Sequence, residues 1–407
     1  MQLKKVLFFY GIPAYGHTLS NLYLAGRLAK AGFRVVYYSA EPFREVIQEN
    51  GCEYRAYSID WTALNLSDGE RILRLYRLIL QYTWEMLPEL LTQAREERPA
   101  AIIFESLALW GRTIGELLSL PSFSFYSIAA IDWTWSMPDG PWGKGLGAYA
   151  PGFSSGFLKD IGELPQAAGY VRRLKKRYGC RKLGLLPVLM NRGDYNLCGY
   201  SRLFQPGGRR FGPEYRFLGP LSVHRKIVEQ NDFSCPDSSP EKPLIYISLG
   251  TIFNKNEELL QAVIDQLGGD YGKKHFRVVL VSKERRTFPE NFIVRPFVNQ
   301  NEILEHASLF LTAGGMNSIH EALYFGVPCL LCPQQGEQLL NARQFEKLGF
   351  GRILRDSQRL WQEAKECMEL KKHWDEKRRK RMTAVSVKEI LELFEKCAAT
   401  EENDRKG

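Results

Sequence analysis

Apolar positions along the chain fall into two series in which short continuous runs alternate with amphipathic stretches. The first series opens with Val6 to Phe9, passes through a loop carrying Gly11, Pro13 and Gly16, and continues into a stretch with Leu19, Leu22, Leu24, Ala25 and Leu28 on helical spacing. Another apolar run, Arg34 to Tyr38, follows. Strand, helix and strand within about 35 residues make a βαβ unit, which requires a parallel sheet and a right-handed crossover. Further strands are expected at Ala101 to Phe104, Ser122 to Tyr126 and Tyr195 to Tyr200.

The alternation is interrupted at His224 to Lys242, a polar stretch with Asp232, Cys235, Pro236, Ser238, Ser239 and Pro240 that reads as a linker. It then restarts with Leu244 to Leu249, Gly250, and a helix presenting Leu259, Leu260, Val263, Ile264 and Leu267 on one face. Strands are expected at Val278 to Ser282, Leu309 to Thr312 and Cys329 to Cys332. Two α/β runs joined by a linker predict an α/β protein of two doubly wound Rossmann-like domains facing an interdomain cleft, rather than one barrel. The expected divisions are 1–223, a linker at 224–242, a second domain at 243–380, and a helix or tail at 381–407 packing back on the first domain.

In doubly wound sheets ligands bind beyond the carboxyl ends of the strands. That rule selects His17, Glu105, Gly250, Thr251 and the segment Ala313 to Ser318. Histidine suits a general base near neutral pH, and a carboxylate such as Glu105 can fix its tautomer and stabilise the imidazolium. The plainer alternative for Glu105 is a solvent-exposed carboxylate at a strand end.

The segment from Phe310 to Glu321 runs from an apolar stretch through Gly314 and Gly315 into a helix. Glycines allow close backbone approach, and amides at a helix start favour an anion such as a diphosphate. Ser318 and Glu321 also have the spacing of a capping box, which would merely close the helix start. Gln334, Glu337, Gln338 and Asn341 follow the next strand and could offer carboxylate and amide groups to sugar hydroxyls.

These fragments, in this order, resemble the C-terminal signature of UDP-glycosyltransferases, particularly the bacterial macrolide and antibiotic branch. The resemblance extends to Gly16-His17, Trp110-Gly111, Gln205-Pro206, Phe217-Leu-Gly-Pro220, Ser248-Leu-Gly-Thr251 and Gln300, so it spans nearly the whole chain. It implies a GT-B fold and an inverting, metal-independent transfer of sugar from a UDP or TDP donor to a small hydrophobic acceptor, with no cofactor beyond that co-substrate. It also implies a donor site with Gly250, Thr251, Gly315 and Ser318 around the diphosphate, Gln300 near the base, Glu321 near the ribose, and Glu337 with Gln338 near the sugar; Gly314 and Asn317 are further donor-binding candidates. His17 with Glu105 would be the catalytic pair, although the family commonly has aspartate at the second position.

One departure matters. Where the family usually has Thr-His-Gly-Gly, this chain has Thr312-Ala313-Gly314-Gly315. Loss of a hydrogen bond to a charged group costs about 1.5 to 3 kcal/mol, roughly ten- to hundredfold in affinity. His320, one turn on, is a candidate to replace that contact. Asn299, in place of the usual proline before Gln300, is a milder departure. A non-catalytic relative with a degraded donor site, and a sugar-nucleotide epimerase, are the competing readings.

Acceptor contacts are expected from Ile131 to Phe153, where Trp133, Trp135, Trp142 and Tyr149 stand among Gly and Pro. The 407 residues carry a formal charge of +9, much of it in Arg172 to Lys182 and Lys371 to Arg381, which read as solvated helix faces without a nucleic-acid motif. Eight irregularly spaced cysteines suit a reducing cytoplasm, and Cys329 with Cys332 read as core positions rather than a metal pair. The apolar start is too short for a signal peptide and no run suits a spanning helix. A cytoplasmic monomer or homodimer is the resulting expectation.

Overall fold

The computed structural model describes residues 5–61, 72–130, 161–184, 191–224, 235, 242–249, 257–334 and 336–404. Gly250, Thr251, Trp133, Trp135, Trp142, Tyr149 and most of 224–242 lie outside the described residues. The chain divides into two compact units, Met1–Lys226 with Ala384–Gly407, and Ile227–Thr383.

In the first unit β1 (Val6–Tyr10), β2 (Arg34–Ser39), β3 (Glu53–Ala56), β4 (Ala101–Glu105), β5 (Ser122–Tyr126), β6 (Tyr195–Cys198) and β7 (Tyr215–Phe217) form one sheet. Its order is β3-β2-β1-β4-β5-β6-β7 and every ladder is parallel. Such a sheet is covered on both faces, so its central strands are mostly apolar. Phe8, Tyr10, Val36, Tyr38, Ile102 and Phe104 pack against the helices Ile72–Glu97, Leu109–Leu118 and Leu164–Tyr178. Their neighbours Leu7, Phe9, Val35, Tyr37, Ala101 and Ile103 face the helix Tyr15–Lys30 and the C-terminal helix Lys388–Asp404. Phe394 of that last helix stacks on Phe123 of β5 with ring centroids 4.0 Å apart.

The returning segment is held where Ser386 N–H donates to the Leu218 carbonyl at 3.0 Å. Beside it Gly219 has φ +81°, and a Cβ there would lie 2.0 Å from the Ala384 carbonyl oxygen. Both the left-handed backbone and the missing space demand glycine. Gly219→Ala is expected to cost about 2 to 3 kcal/mol in unfolding free energy; an unchanged thermal midpoint would contradict this account of the junction.

The second unit contains β8 (Leu244–Ser248), β9 (Arg277–Val281), β10 (Phe292–Arg295), β11 (Ala307–Thr312), β12 (Cys329–Leu331) and β13 (Gly351–Ile353). All ladders are parallel, in the order β10-β9-β8-β11-β12-β13. Leu259, Leu260, Val263 and Leu267 of the helix Glu257–Gly268 pack on Ile245, Ile247, Val278 and Leu309. Cys329 and Cys332 are buried and no disulfide joins them; burial pushes both thiols above their usual pKa.

The run Lys371 to Arg381 is interleaved with acid: Lys372 pairs with Glu369, Arg378 with Asp375 and Arg379 with Glu376. Arg379 also donates to the carbonyls of Leu323 and Tyr324, at 3.1 and 3.0 Å, closing the C-terminal end of the helix Met316–Phe325. Among the described residues no helix is long and apolar enough to cross a membrane.

Each sheet reverses direction of growth once, between β1 and β4 in the first unit and between β8 and β11 in the second. The helices that follow adjacent strands at such a point lie on opposite faces and leave a crevice at the carboxyl ends.

Candidate active site

His17 and Glu105 lie at or just beyond the carboxyl ends of the two strands that flank the first reversal. β1 ends at Tyr10, and the loop after it leads into the helix Tyr15–Lys30, whose first turn carries His17. Glu105 is the last residue of β4 and is fully buried. The Nδ1 of His17 lies 2.9 Å from Glu105 Oε1. The reading of Glu105 as a solvent-exposed strand-end carboxylate is therefore wrong: the side chain is fully buried and its carboxyl meets the imidazole.

Four donors converge on that carboxylate. Besides His17, the Ser127 hydroxyl donates to Oε1 at 2.8 Å, the Ser106 hydroxyl to Oε1 at 3.3 Å, and the Leu107 N–H to Oε2 at 2.7 Å. Burial raises the Glu105 pKa, but the charge and hydrogen bond of His17, with the Leu107 amide and Ser127, outweigh it and hold the group below the ordinary value. An ionised carboxylate accepts only. The contact therefore favours the tautomer with the proton on Nδ1, which puts the basic lone pair on Nε2.

The sign of the stability effect follows. A depressed native pKa stabilises the fold wherever the unfolded carboxyl is already ionised, above the ordinary value of 4.5, and this contribution is lost as acid carries the pH down through the native value. Glu105→Gln should therefore flatten the acid limb of a plot of thermal midpoint against pH. A limb identical to that of the parent would show that the native carboxyl is not depressed.

Beside the His17 loop stands an aromatic group in which Trp110, part of the family resemblance, is joined by Tyr57 and Trp61, neither of which had a sequence signal. Tyr57 donates to the Gly11 carbonyl at 2.8 Å, the Trp110 indole N–H donates to the Tyr57 hydroxyl at 3.2 Å, and Trp61 packs on both rings. Only the register of β3 against β2 brings Tyr57 and Trp61 here, and β3 itself carries no apolar pattern.

At the second reversal, β11 runs into Gly314, Gly315 and the helix Met316–Phe325. Gly314 has φ +85°, and a Cβ on it would approach the Gln338 carbonyl to 3.3 Å. Gly315 is the N-cap, half-buried, with open space where a Cβ would be. As a glycine, the N-cap has no side chain with which to cap this helix. Asn317 and Ser318 follow as half-buried positions on the first turn.

The capping-box reading of Ser318 and Glu321 fails here. The helix begins three residues earlier than that motif requires, and the fully buried Glu321 instead accepts from Gln300 Nε2 at 2.6 Å. Gln300 also donates weakly to Ser318 Oγ at 3.4 Å and accepts from the Tyr246 hydroxyl at 3.3 Å. Asn299 is the N-cap of the helix Gln300–His306 but makes no side-chain cap hydrogen bond.

The residues after β12 are tied to the glycine loop. Asn341 is buried and donates to the Gly314 carbonyl at 3.2 Å and to Glu337 Oε1. It therefore braces the loop, contrary to the expectation that its amide is offered to a sugar. Gln338 is buried too, with Oε1 accepting from the Gln334 N–H at 2.9 Å, while Glu337 is half-buried. The idea that His320 replaces the missing histidine also fails: it is 1% exposed, its Nδ1 donates to the Met316 carbonyl at 2.9 Å, and burial lowers its pKa to about 4. Ala313 is 2% exposed.

Comparison with known proteins adds to this geometry. The family model for UDP-glucoronosyl and UDP-glucosyl transferases matches residues 204–358. An uncharacterized UDP-glucosyltransferase of Bacillus subtilis (strain 168), YojK, is 30% identical over 356 residues, covering 85% of this chain and 84% of its own length. The chain belongs to the UDP-glycosyltransferase family. Solved structures agree on its GT-B fold. The glycotransferase of kitacinnamycin superposes with a TM-score of 0.76 at 20% identity, over 97% of this chain and all of that one. Glycosyltransferase VinC, solved in complex with dTDP, does so with a TM-score of 0.67 at 18% identity, over 97% and 100%. This UDP-glycosyltransferase is accordingly a glycosyltransferase enzyme, with His17 and Glu105 at one sheet reversal and the glycine loop at the other.

Proposed function

We propose that this enzyme moves a sugar from a nucleoside diphosphate, UDP or TDP, to a hydroxyl of a small, largely apolar acceptor of the natural-product kind, by a single displacement with inversion. His17 Nε2 removes the acceptor proton, and the oxygen attacks the anomeric carbon opposite the diphosphate. The nucleoside diphosphate leaves carrying the bonding pair, and Glu105 stabilises the imidazolium formed.

Gly314, Gly315 and the amides of Asn317 and Ser318 would carry the diphosphate charge, so the step requires no metal ion. Gln300 and Glu321 would take the base and ribose, and Glu337 with Gln338 the sugar. Gly250 and Thr251 would complete the diphosphate loop; Trp133, Trp135 and Trp142, with Tyr57 and Trp61, would favour an apolar acceptor. The single observation that carries this reading is the 2.9 Å contact between His17 Nδ1 and the fully buried Glu105 carboxyl at a strand reversal. The dTDP bound to VinC supports a diphosphate donor.

Ala313 favours a second reading, an auxiliary protein that binds nucleotide without turnover. Calorimetric titration with UDP, TDP and their sugars, followed by mass spectrometry of reactions with phenolic and macrolide acceptors, separates the two. The proposal expects a product heavier than the acceptor by one hexosyl residue. Nucleotide binding without product would support the auxiliary role, and an isomerised sugar nucleotide would support an epimerase.

A further inference from the structure

Ser127 is the residue after β5, and the register Glu105↔Phe125 sets it one strand over from Glu105 and just beyond it. It is 6% exposed, with Oγ 2.8 Å from Glu105 Oε1 and 3.0 Å from His17 Nδ1. His17, Glu105 and Ser127 thus form a closed triangle of polar atoms with edges of 2.8, 2.9 and 3.0 Å.

We propose that Ser127 is a positioning residue, fixing the tautomer and ring plane of His17 together with Glu105; this rests on the reading of His17 as the base. Proton counting gives the reason. A serine hydroxyl has one hydrogen and two lone pairs, and an ionised carboxylate has no hydrogen. The Ser127 hydrogen goes to Oε1, so a serine lone pair faces Nδ1. Nδ1 then meets two acceptors, and only the Nδ1–H form is compatible with both. Were Nδ1 bare, one serine hydrogen would have to serve two acceptors, and a nitrogen lone pair would face Oε1 at 2.9 Å. A neutral imidazole in water prefers the other tautomer, so the site must supply this bias.

Glutamate also makes the serine necessary in a second way. It has one more rotatable bond than aspartate, and its carboxylate must be held at both ends to stay on target. The Leu107 amide holds Oε2, and Ser127 is the closest hydroxyl on Oε1. Ser127 thus restrains the longer side chain on the imidazole.

The test uses the full-length enzyme and two readouts. Imidazole ¹⁵N spectra, with the His17 signal assigned by its loss in His17→Gln, report the tautomer directly. Steady-state kinetics report turnover. Ser127→Ala removes one oxygen from a buried site and should fold. We expect the neutral ring to shift from Nδ1–H to a mixture, and kcat to fall roughly tenfold with both KM values within about twofold. Ser127→Thr, which keeps the hydroxyl, should restore the tautomer and bring kcat to within about threefold of the parent.

An Ala variant with the parent tautomer and kcat overturns the proposal. So does a Thr variant as slow as the Ala variant while its thermal midpoint is native, because the effect would then be one of packing. If the parent shows no transferase activity, the function proposed above fails on its own, and the ¹⁵N spectra still decide the role of Ser127.

Discussion

His17→Ala should lower kcat by roughly a hundred- to ten-thousandfold, the range that a positioned general base contributes, while leaving the affinity for UDP or TDP within about twofold. The asymmetry is the informative part. His17 belongs to the first unit, and the glycine loop with Gln300 and Glu321 belongs to the second. A side chain that acts only on the acceptor proton contributes to the transition state and not to nucleotide binding. Turnover equal to the parent would end the assignment of the base. An equal loss in nucleotide affinity would show instead that the imidazole serves the donor.

Glu105→Gln should be comparably damaging, by roughly a thousandfold in kcat. The substitution keeps the shape and removes the charge, yet it also turns an acceptor into a group that can present an NH₂ to the ring. An amide donating to Nδ1 forces the proton onto Nε2, which is where the acceptor hydroxyl must be received. The imidazolium also loses its counter-charge in a buried position, where that charge is worth most. Glu105→Ala removes the orientation without imposing the wrong tautomer, so the amide variant should be no faster than the alanine variant. Rates near the parent for either would mean that the 2.9 Å contact is only structural. Circular dichroism and the thermal midpoint show whether each variant is folded.

Much of the architecture could be read from the chain because a parallel sheet buried on both faces writes itself as continuous apolar runs. Val6–Tyr10 is such a run, and Ala101–Glu105 and Leu244–Ser248 are such runs up to their last residue. The strands that escaped are short or polar and mostly lie outward in their sheets. β3 is Glu-Tyr-Arg-Ala, β7 Tyr-Arg-Phe and β13 Gly-Arg-Ile, while β10 is four residues at the far edge. The helix Ile72–Glu97 carried a readable signal that went unused: Leu73, Tyr76, Leu80, Leu87, Leu91 and Ala94 recur on helical spacing and are buried.

The site divides in the same way. The rule that function lies at strand ends found His17 and Glu105, and composition around the glycines found the donor loop. Sequence spacing could not show that Gly315, rather than Ser318, opens the helix, since the two differ only in where the backbone first turns helical. Nor could it show Ser127, because a serine after an apolar strand has no signature. Only the pairing of β5 with β4 brings it to Glu105. Asn341 looked like a ligand group for the same reason that it is a brace, being a polar residue aimed at the loop.

The most direct test of a single displacement is the anomeric configuration of the product. Incubated with an α-linked UDP- or TDP-hexose and a phenolic acceptor, the enzyme should yield free nucleoside diphosphate and a β-linked glycoside, identified by proton NMR of the anomeric signal. An α-linked product would contradict direct attack by an oxygen deprotonated at His17.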